Sequence, residues 1–117
     1  MSLLSMIQGK KEKRRVKLQG VLDSLVKELA SLGALRVILF GSFARGDVDV
    51  SSDLDLLVIM PSDKTGRQWR DRIYGSVKRT GAADLIILNE NELKENLPGS
   101  FFLQRAVRGK VVYEKAA

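Results

Sequence analysis

The chain has 117 residues, 44% of them hydrophobic, so it is long enough for one domain with its own core. It contains no cysteine and no histidine, which excludes disulfides, zinc sites built on those residues, cysteine nucleophiles and a Ser-His-Asp triad. The net charge is +6, but residues 10–17 (KKEKRRVK) contain six basic residues and one acidic residue, so the rest of the chain is almost neutral.

The first half of the chain predicts a long helix followed by a buried strand. Residues 10–32 place apolar side chains on one stripe, and Gly33 is a stop signal. The stripe consists of Val21, Leu22, Leu25, Val26 and Leu29. Residues 35–40 (LRVILF) are short, apolar and partly β-branched, as expected for a buried strand. Residues 42–46 predict a tight turn entering one or two helical turns, and residues 48–52 predict a polar loop.

The second half alternates strands with helices. We expect a strand over 53–60 (DLDLLVIM), a helix over 65–80 and a strand over 83–88 (ADLIIL). Three shorter elements follow, namely a short helix or turn over 89–96, a helix over 100–108 capped by Gly109, and a strand over 110–114. This alternation indicates an α/β fold. We expect a single domain in which the helix at about 10–32 precedes a core at about 35–114.

Two aspartates stand at the start of a strand that is otherwise apolar. Asp53 and Asp55 precede LLVIM, and residues two apart on a strand share a face. Two ionised carboxylates side by side repel each other and lose hydration, and a bound divalent cation removes both costs. Without histidine or cysteine, oxygen must hold any metal, and a general base must be a carboxylate, lysine or tyrosine. The alternative is that both aspartates are simply solvated at the end of a sheet.

A glycine and a serine directly follow the first predicted strand. Gly41 allows close approach of the backbone to a ligand, and Ser42 adds a hydroxyl to the free N–H groups of a helical turn. The pair can therefore hold a phosphate, although GSFARG lacks the Gly-Lys-Ser/Thr ending of a P-loop. The alternative is an ordinary turn with Ser42 as the helix N-cap.

The two motifs together are more specific than either alone. Gly41-Ser42, then ten residues, then Asp53-x-Asp55 resembles the signature of the nucleotidyltransferase superfamily related to DNA polymerase beta. Within it, GSFARGD and SDLDLLV closely resemble the minimal, or MNT-type, nucleotidyltransferases. The resemblance extends to ADLIIL and, more weakly, to RAVRGKVVYE, so it covers about residues 35–114. It implies a small mixed β-sheet flanked by helices, which is the nucleotidyltransferase fold.

The resemblance also implies a metal site. That family uses three carboxylates on neighbouring strands to hold two Mg²⁺ ions, which carry a nucleoside triphosphate. By position, Asp53 and Asp55 match the first two carboxylates, and Asp84, which opens the next apolar strand, matches the third. Two ions clamp the attacking and leaving oxygens of an in-line displacement. The third carboxylate is then the best candidate to accept the proton of an attacking hydroxyl.

On the phosphate side, the resemblance assigns three residues. Ser42 is expected to bind the terminal phosphates, and Gly41 is expected to let the loop come close to them. Arg45 occupies the common Ala-Arg-Gly position of the family. Its role stays open between contacting phosphate and pairing with Asp47 or Asp49 to shape the loop.

The implied reaction is transfer of a nucleoside monophosphate to a hydroxyl with release of pyrophosphate, with AMP from ATP as the favoured case. Larger members of the superfamily hold the acceptor in an extra domain, for which this length leaves no room. We therefore expect another chain to bind the acceptor or to be the acceptor. Minimal members resemble partners of small helical HEPN-type proteins in toxin–antitoxin pairs. The resemblance therefore implies that this chain is the antitoxin of such a pair and adenylylates a tyrosine of a HEPN-type partner.

Two other functions compete with this reading. One is a non-catalytic partner that uses the same fold as a binding surface, although such a role does not need the three aspartates. The other is a nucleic-acid binder that works through residues 10–17, which are otherwise a solvated helix start. A stripe formed by Trp69, Ile73 and Val77 is more typical of a core than of a base-stacking surface. No run is long enough to span a membrane, and the absence of cysteine fits a cytoplasmic protein.

Overall fold

A four-stranded sheet with helices on both faces forms the described part of the chain. The computed structural model describes residues 2–46, 53–78 and 80–116. Its helices are α1 (Leu3–Ser31), α2 (Gly41–Ala44), α3 (Gly66–Ser76), α4 (Glu90–Asn96) and α5 (Phe101–Ala106). Its strands are β1 (Arg36–Phe40), β2 (Leu54–Met60), β3 (Ala83–Asn89) and β4 (Lys110–Glu114). Two short 3₁₀ turns lie at Thr80–Ala82 and Leu97–Gly99.

The sheet is mixed, as predicted. Its strand order is β3-β2-β1-β4, in which β1 runs antiparallel to both β2 and β4, and β2 runs parallel to β3. Phe40 at the end of β1 pairs with Asp55, and Asp55 pairs with Asp84. Lys110 at the start of β4 pairs with Leu39. The end of β1 and the starts of the other three strands therefore meet at one end of the sheet, called here the site end.

Alternation along β2 divides the core into two layers. Leu54, Leu56 and Val58 pack with α1 and α3 on one face, while Leu57 and Ile59 pack with α4 and α5 on the other. Burying each such side chain contributes about 1.5–3 kcal/mol. Because side chains two apart share a face, Asp55 lies on the α4–α5 face, as does Asp84, two residues before Ile86.

The stripe of residues 69, 73 and 77, on α3 and its C-cap, belongs to the core, as predicted. Trp69, Ile73 and Val77 are buried in the layer beneath α1. The indole Nε1 of Trp69 donates a hydrogen bond of 2.8 Å to the carbonyl of Pro61, so the one polar group of this ring is satisfied. The stripe is therefore not available to stack on a nucleic-acid base.

Two helix boundaries differ from the predicted ones. The first helix begins at Leu3, not near Lys10, because Ser2 caps it by accepting a hydrogen bond from the amide of Ser5. The predicted helix over 65–80 ends at Ser76. It stops there because the amide of Lys78 donates to the Glu28 carboxylate of α1 at 3.1 Å instead of continuing the helical ladder.

Gly109 was expected to cap the last helix, and this prediction is wrong. α5 ends at Ala106 with Val107 as its C-cap, and the glycines with positive φ are Gly33, Gly41 and Gly46. A Cβ on Gly109 would overlap the carbonyl oxygen of Leu39, so this glycine allows the α5–β4 turn to lie directly against β1.

The predicted loop at 48–52 lies outside the described residues. No helix in the described ranges is both long enough and apolar enough to cross a bilayer.

Candidate active site

The structure brings two of the predicted carboxylates together at the site end. Asp55 and Asp84 are directly paired on the parallel strands β2 and β3. Neighbouring strands lie about 4.8 Å apart, so two side chains at one register on one face are neighbours. Asp84 is exposed, whereas Asp55 is half-buried between β1 and β3.

The surroundings of Asp55 disfavour its negative charge. Burial raises the pKa of the Asp55 carboxyl, and the nearby charges of Asp84 and Asp53 raise it further. The positive charge of Arg45 acts in the opposite direction, but it does not overcome these causes. A cation bound at this carboxylate relieves both the desolvation and the repulsion.

Asp53 also has a neighbour that the sequence did not predict. It lies just before β2 and is exposed, and its Oδ1 accepts a hydrogen bond of 3.2 Å from Nη2 of Arg14. Arg14 belongs to the basic run of α1 and is the half-buried member of residues 10–17, whose other side chains are exposed. The run is therefore mostly a solvated helix face, but it contributes one guanidinium to the site. Sequence reasoning missed this contact, because nothing in the local pattern distinguishes Arg14 from its basic neighbours.

Gly41 lies against the carboxylate of Asp55. Its φ is +79°, a conformation that side-chain-bearing residues rarely adopt. A Cβ at this position would overlap Oδ2 of Asp55 and come within 3.0 Å of its Cγ. Gly41 thus makes room for the Asp55 carboxylate, which lies directly against the backbone where β1 passes into α2.

Ser42 and Arg45 follow this glycine in α2 and at its C-terminal end. Ser42 lies within α2 and is not its N-cap, since that position is occupied by Phe40, which makes no side-chain capping bond. The alternative interpretation of Ser42 as a capping residue is therefore wrong. Arg45 is the exposed C-cap of α2, close enough to Asp55 to affect its charge. Asp47 and Asp49, the other partners considered for Arg45, lie outside the described residues.

The donor set suits a hard divalent cation. Mg²⁺ is usually held by one or two carboxylates together with substrate phosphates and water, and Asp55 with Asp84 supply such a pair. Across residues 2–46, 53–78 and 80–116, no three acidic side chains are placed to hold a metal ion as they stand. Asp53, the third predicted carboxylate, is paired with Arg14 in this structure.

Comparison with known proteins gives one consistent answer. The sequence profile of the nucleotidyltransferase domain family matches residues 22–108. A protein of Methanocaldococcus jannaschii, named "Putative protein adenylyltransferase MJ0141", is 35% identical over 66 residues, which cover 56% of this chain and 66% of that protein. The match thus spans just under two thirds of that relative. The crystal structure of a "putative nucleotidyltransferase" from Sulfolobus solfataricus has a TM-score of 0.53 and 29% identity, covering 74% of this chain and 79% of that one.

The chain therefore belongs to the nucleotidyltransferase domain family, and its mixed sheet flanked by helices is a nucleotidyltransferase fold. Family membership supports a transferase activity.

Proposed function

We propose that this protein transfers a nucleoside monophosphate, AMP from ATP, onto a hydroxyl group of another macromolecule and releases pyrophosphate. The observation on which the proposal depends most is the pairing of Asp55 with Asp84 beside Gly41. A carboxylate pair at the end of a sheet is common. Here, however, the missing side chain of Gly41 lets the Asp55 carboxylate lie directly against the turn that carries Ser42, so the carboxylate pair and the predicted phosphate-binding residues form one site.

The carboxylates have separate tasks in this proposal. Asp55 and Asp84, joined by Asp53 once it leaves Arg14, would hold two Mg²⁺ ions. Bound Mg²⁺ would supply stabilisation of the charge on the attacking and leaving oxygens. Asp84 is the exposed member of the pair, and in this proposal it is the base that takes the proton from the hydroxyl of the acceptor.

The transfer step balances without a further reactant. The acceptor oxygen forms a bond to the α-phosphorus, and the bond from that phosphorus to the oxygen bridging to the β-phosphate breaks. Pyrophosphate leaves with the electron pair, and the hydroxyl proton passes to Asp84. Gly41 and Ser42 position the phosphates, with Gly41 allowing the close approach and Ser42 donating its hydroxyl proton in a hydrogen bond.

We propose a protein hydroxyl as the acceptor. The side chain of Asp53 is 54% exposed and Asp84 is exposed, so the carboxylates are open to a large partner. The name of the Methanocaldococcus jannaschii relative states transfer to protein. A tyrosine of a small helical HEPN-type protein, in a cytoplasmic toxin–antitoxin pair, is the acceptor that we propose from the resemblance.

Thermal melts with Mg²⁺ and ATP test the nucleotide site. Ligand binding raises stability by RT ln(1 + [L]/Kd), or about 2.7 kcal/mol at a hundredfold excess over Kd. We expect Mg-ATP to raise the melting temperature of the wild type, and the double variant Asp55→Asn, Asp84→Asn to lose that rise. Asp71→Asn, an exposed aspartate on α3, is the matched control and should keep it. A wild type that does not respond to millimolar Mg-ATP would instead support a non-catalytic binding partner.

A further inference from the structure

Charge is divided across the site end of the sheet. The carboxylates Asp55 and Asp84 lie on β2 and β3, at one side of the strand order β3-β2-β1-β4. At the other side, beyond Gly41 at the end of β1, lies an open cavity of about 450 Å³. Four cationic side chains line it, namely Arg45, Arg105, Arg108 and Lys110.

Three of these cations are not neutralised within the chain as described. No acidic side chain lines the cavity among the residues that the structure describes. In the same ranges, Arg105, Arg108 and Lys110 form no ion pair, and all three are exposed. Like charges grouped in one cavity repel each other, and an anion bound among them removes that cost.

The backbone beneath these cations is fixed against β1. Gly109 separates Arg108 from Lys110, and it packs so closely on the carbonyl of Leu39 that no Cβ could fit. Lys110 pairs with Leu39 in the sheet. The backbone of both residues is therefore held close to Gly41, which directly follows β1.

Arg105 is placed by the aromatic contact between α5 and β1. The ring of Phe102 meets the ring of Phe40 edge-on, with centroids 5.6 Å apart. Arg105 lies three residues after Phe102 and so one helical turn further along the same side of α5. This contact brings its guanidinium to the cavity that Phe40 and Gly41 also line.

We propose that Arg105 and Arg108 form a polyphosphate subsite, which binds the terminal phosphates of the nucleotide and the pyrophosphate that leaves. This inference rests on the proposed function. In an in-line displacement the leaving group departs on the side opposite the attacking oxygen. In the strand order, Asp84, which is proposed to take the acceptor proton, and the cationic cavity lie on opposite sides of Asp55, an order compatible with such a displacement.

Calorimetric titration with inorganic pyrophosphate in the presence of Mg²⁺ tests the subsite without any nucleotide. The double variant Arg105→Gln, Arg108→Gln should weaken pyrophosphate binding at least tenfold and leave the binding of AMP unchanged. The matched control is Arg70→Gln, Arg72→Gln, which removes two exposed arginines from α3 and should bind pyrophosphate like the wild type. Thermal melts establish that each variant is folded, and the single variants Arg105→Gln and Arg108→Gln are measured separately if the double variant is not.

The outcomes separate this subsite from the proposed function. If pyrophosphate binds equally well to the double variant while Mg-ATP binding still depends on Asp55, the subsite is wrong and the nucleotide site stands. If the double variant loses pyrophosphate while the wild type never binds ATP, the two arginines bind pyrophosphate but no nucleotide, and the proposed function fails. If the double variant loses only affinity for single-stranded RNA, the cavity binds a nucleic-acid backbone and the inference is overturned.

Discussion

At the scale of single residues, Gly41 is the position where backbone conformation and site chemistry coincide. We predict that Gly41→Ala lowers Mg-ATP affinity at least tenfold, because the added methyl group overlaps the Asp55 carboxylate. Because an alanine is strained at this positive φ, the substitution also lowers the free energy of unfolding by roughly 1–2 kcal/mol. Calorimetry measures the affinity, and thermal melts measure the stability.

Gly33→Ala is the control for this substitution. Gly33 also has a positive φ, of 106°, but a Cβ there would have no atom within 4 Å, and the residue follows α1 away from the site end. It should therefore lose stability like Gly41→Ala and keep Mg-ATP binding. If both variants bind Mg-ATP like the wild type, Gly41 is only a turn residue.

The Asp55 carboxyl should make metal-free stability depend on pH. Its pKa is raised from the ordinary value of 3.8 by burial, by Asp84 and by Asp53, so the folded state binds the proton more tightly than the unfolded chain. The contribution of Asp55 to stability must then fall as the pH rises from about 3.8 through the raised pKa. Without metal, Asp55→Asn should be more stable than the wild type at neutral pH and equal to it in acid.

Melting temperatures of both proteins between about pH 3 and pH 8 measure this difference. Asp71→Asn serves again as control and should show no such growing advantage. An Asp55→Asn variant that is less stable than the wild type at neutral pH would mean that the Asp55 charge is satisfied within the apo fold.

At the scale of secondary-structure elements, Asn89 joins three segments close to the core. It is 7% exposed, its Oδ1 accepts from the amide of Glu92 at 2.7 Å, and its Nδ2 donates to the carbonyl of Lys64 at 3.0 Å. Asn89→Ala removes the N-cap of α4 and leaves the Lys64 carbonyl unpaired, so we predict a loss of about 1–3 kcal/mol.

Denaturant unfolding measures that loss, and Asn96→Ala provides the comparison. Asn96 is exposed and donates to the carbonyl of Glu92 at 2.8 Å, so its removal should cost less than about 0.5 kcal/mol. Equal losses in the two variants would show that the buried network around Asn89 does not stabilise the junction.

Elements were predictable from local sequence where burial alone decides them. The strands are short apolar runs bounded by Gly41, Pro61 and Gly109, and each was found close to its predicted place. Helix ends were less predictable because contacts between elements set them, as when Glu28 of α1 takes the amide of Lys78. The pairing of Asp55 with Asp84 depends on the parallel contact of β2 with β3. It was anticipated only through the resemblance to a known family.

At the scale of the whole molecule, α1 consists of two different halves. Its buried residues begin at Leu18, and the residues before it are exposed apart from the half-buried Arg14. A chain lacking residues 2–9 should therefore melt at the temperature of the intact chain. Leu25→Ala, in the buried half, should lose about 2–5 kcal/mol. A large loss of stability in the shortened chain would mean that its outer half packs on the body in solution.

The cationic cavity also belongs to this scale, and the sequence alone did not reveal it. Arg105, Arg108 and Lys110 stand far along the chain from Gly41, and their spacing has no pattern of its own. They meet because α5 packs through Phe102 on Phe40 and because Gly109 lies against β1. Residues 105–114 (RAVRGKVVYE) are weakly similar to the family. That similarity could have pointed to these cations if it had been interpreted as part of a site and not only as part of the fold.

The most direct test of the account follows the fate of each phosphate of ATP. The protein is incubated with Mg²⁺, a cell extract depleted of this chain, and either α-³²P-ATP or γ-³²P-ATP. We predict that a protein in the extract becomes labelled from the α-position and not from the γ-position. Labelling should require Asp55 and Asp84 and persist in Asp71→Asn. Labelling from the γ-position, or equal labelling with Asp55→Asn and the wild type, would contradict the nucleotidyl transfer that the site is proposed to perform.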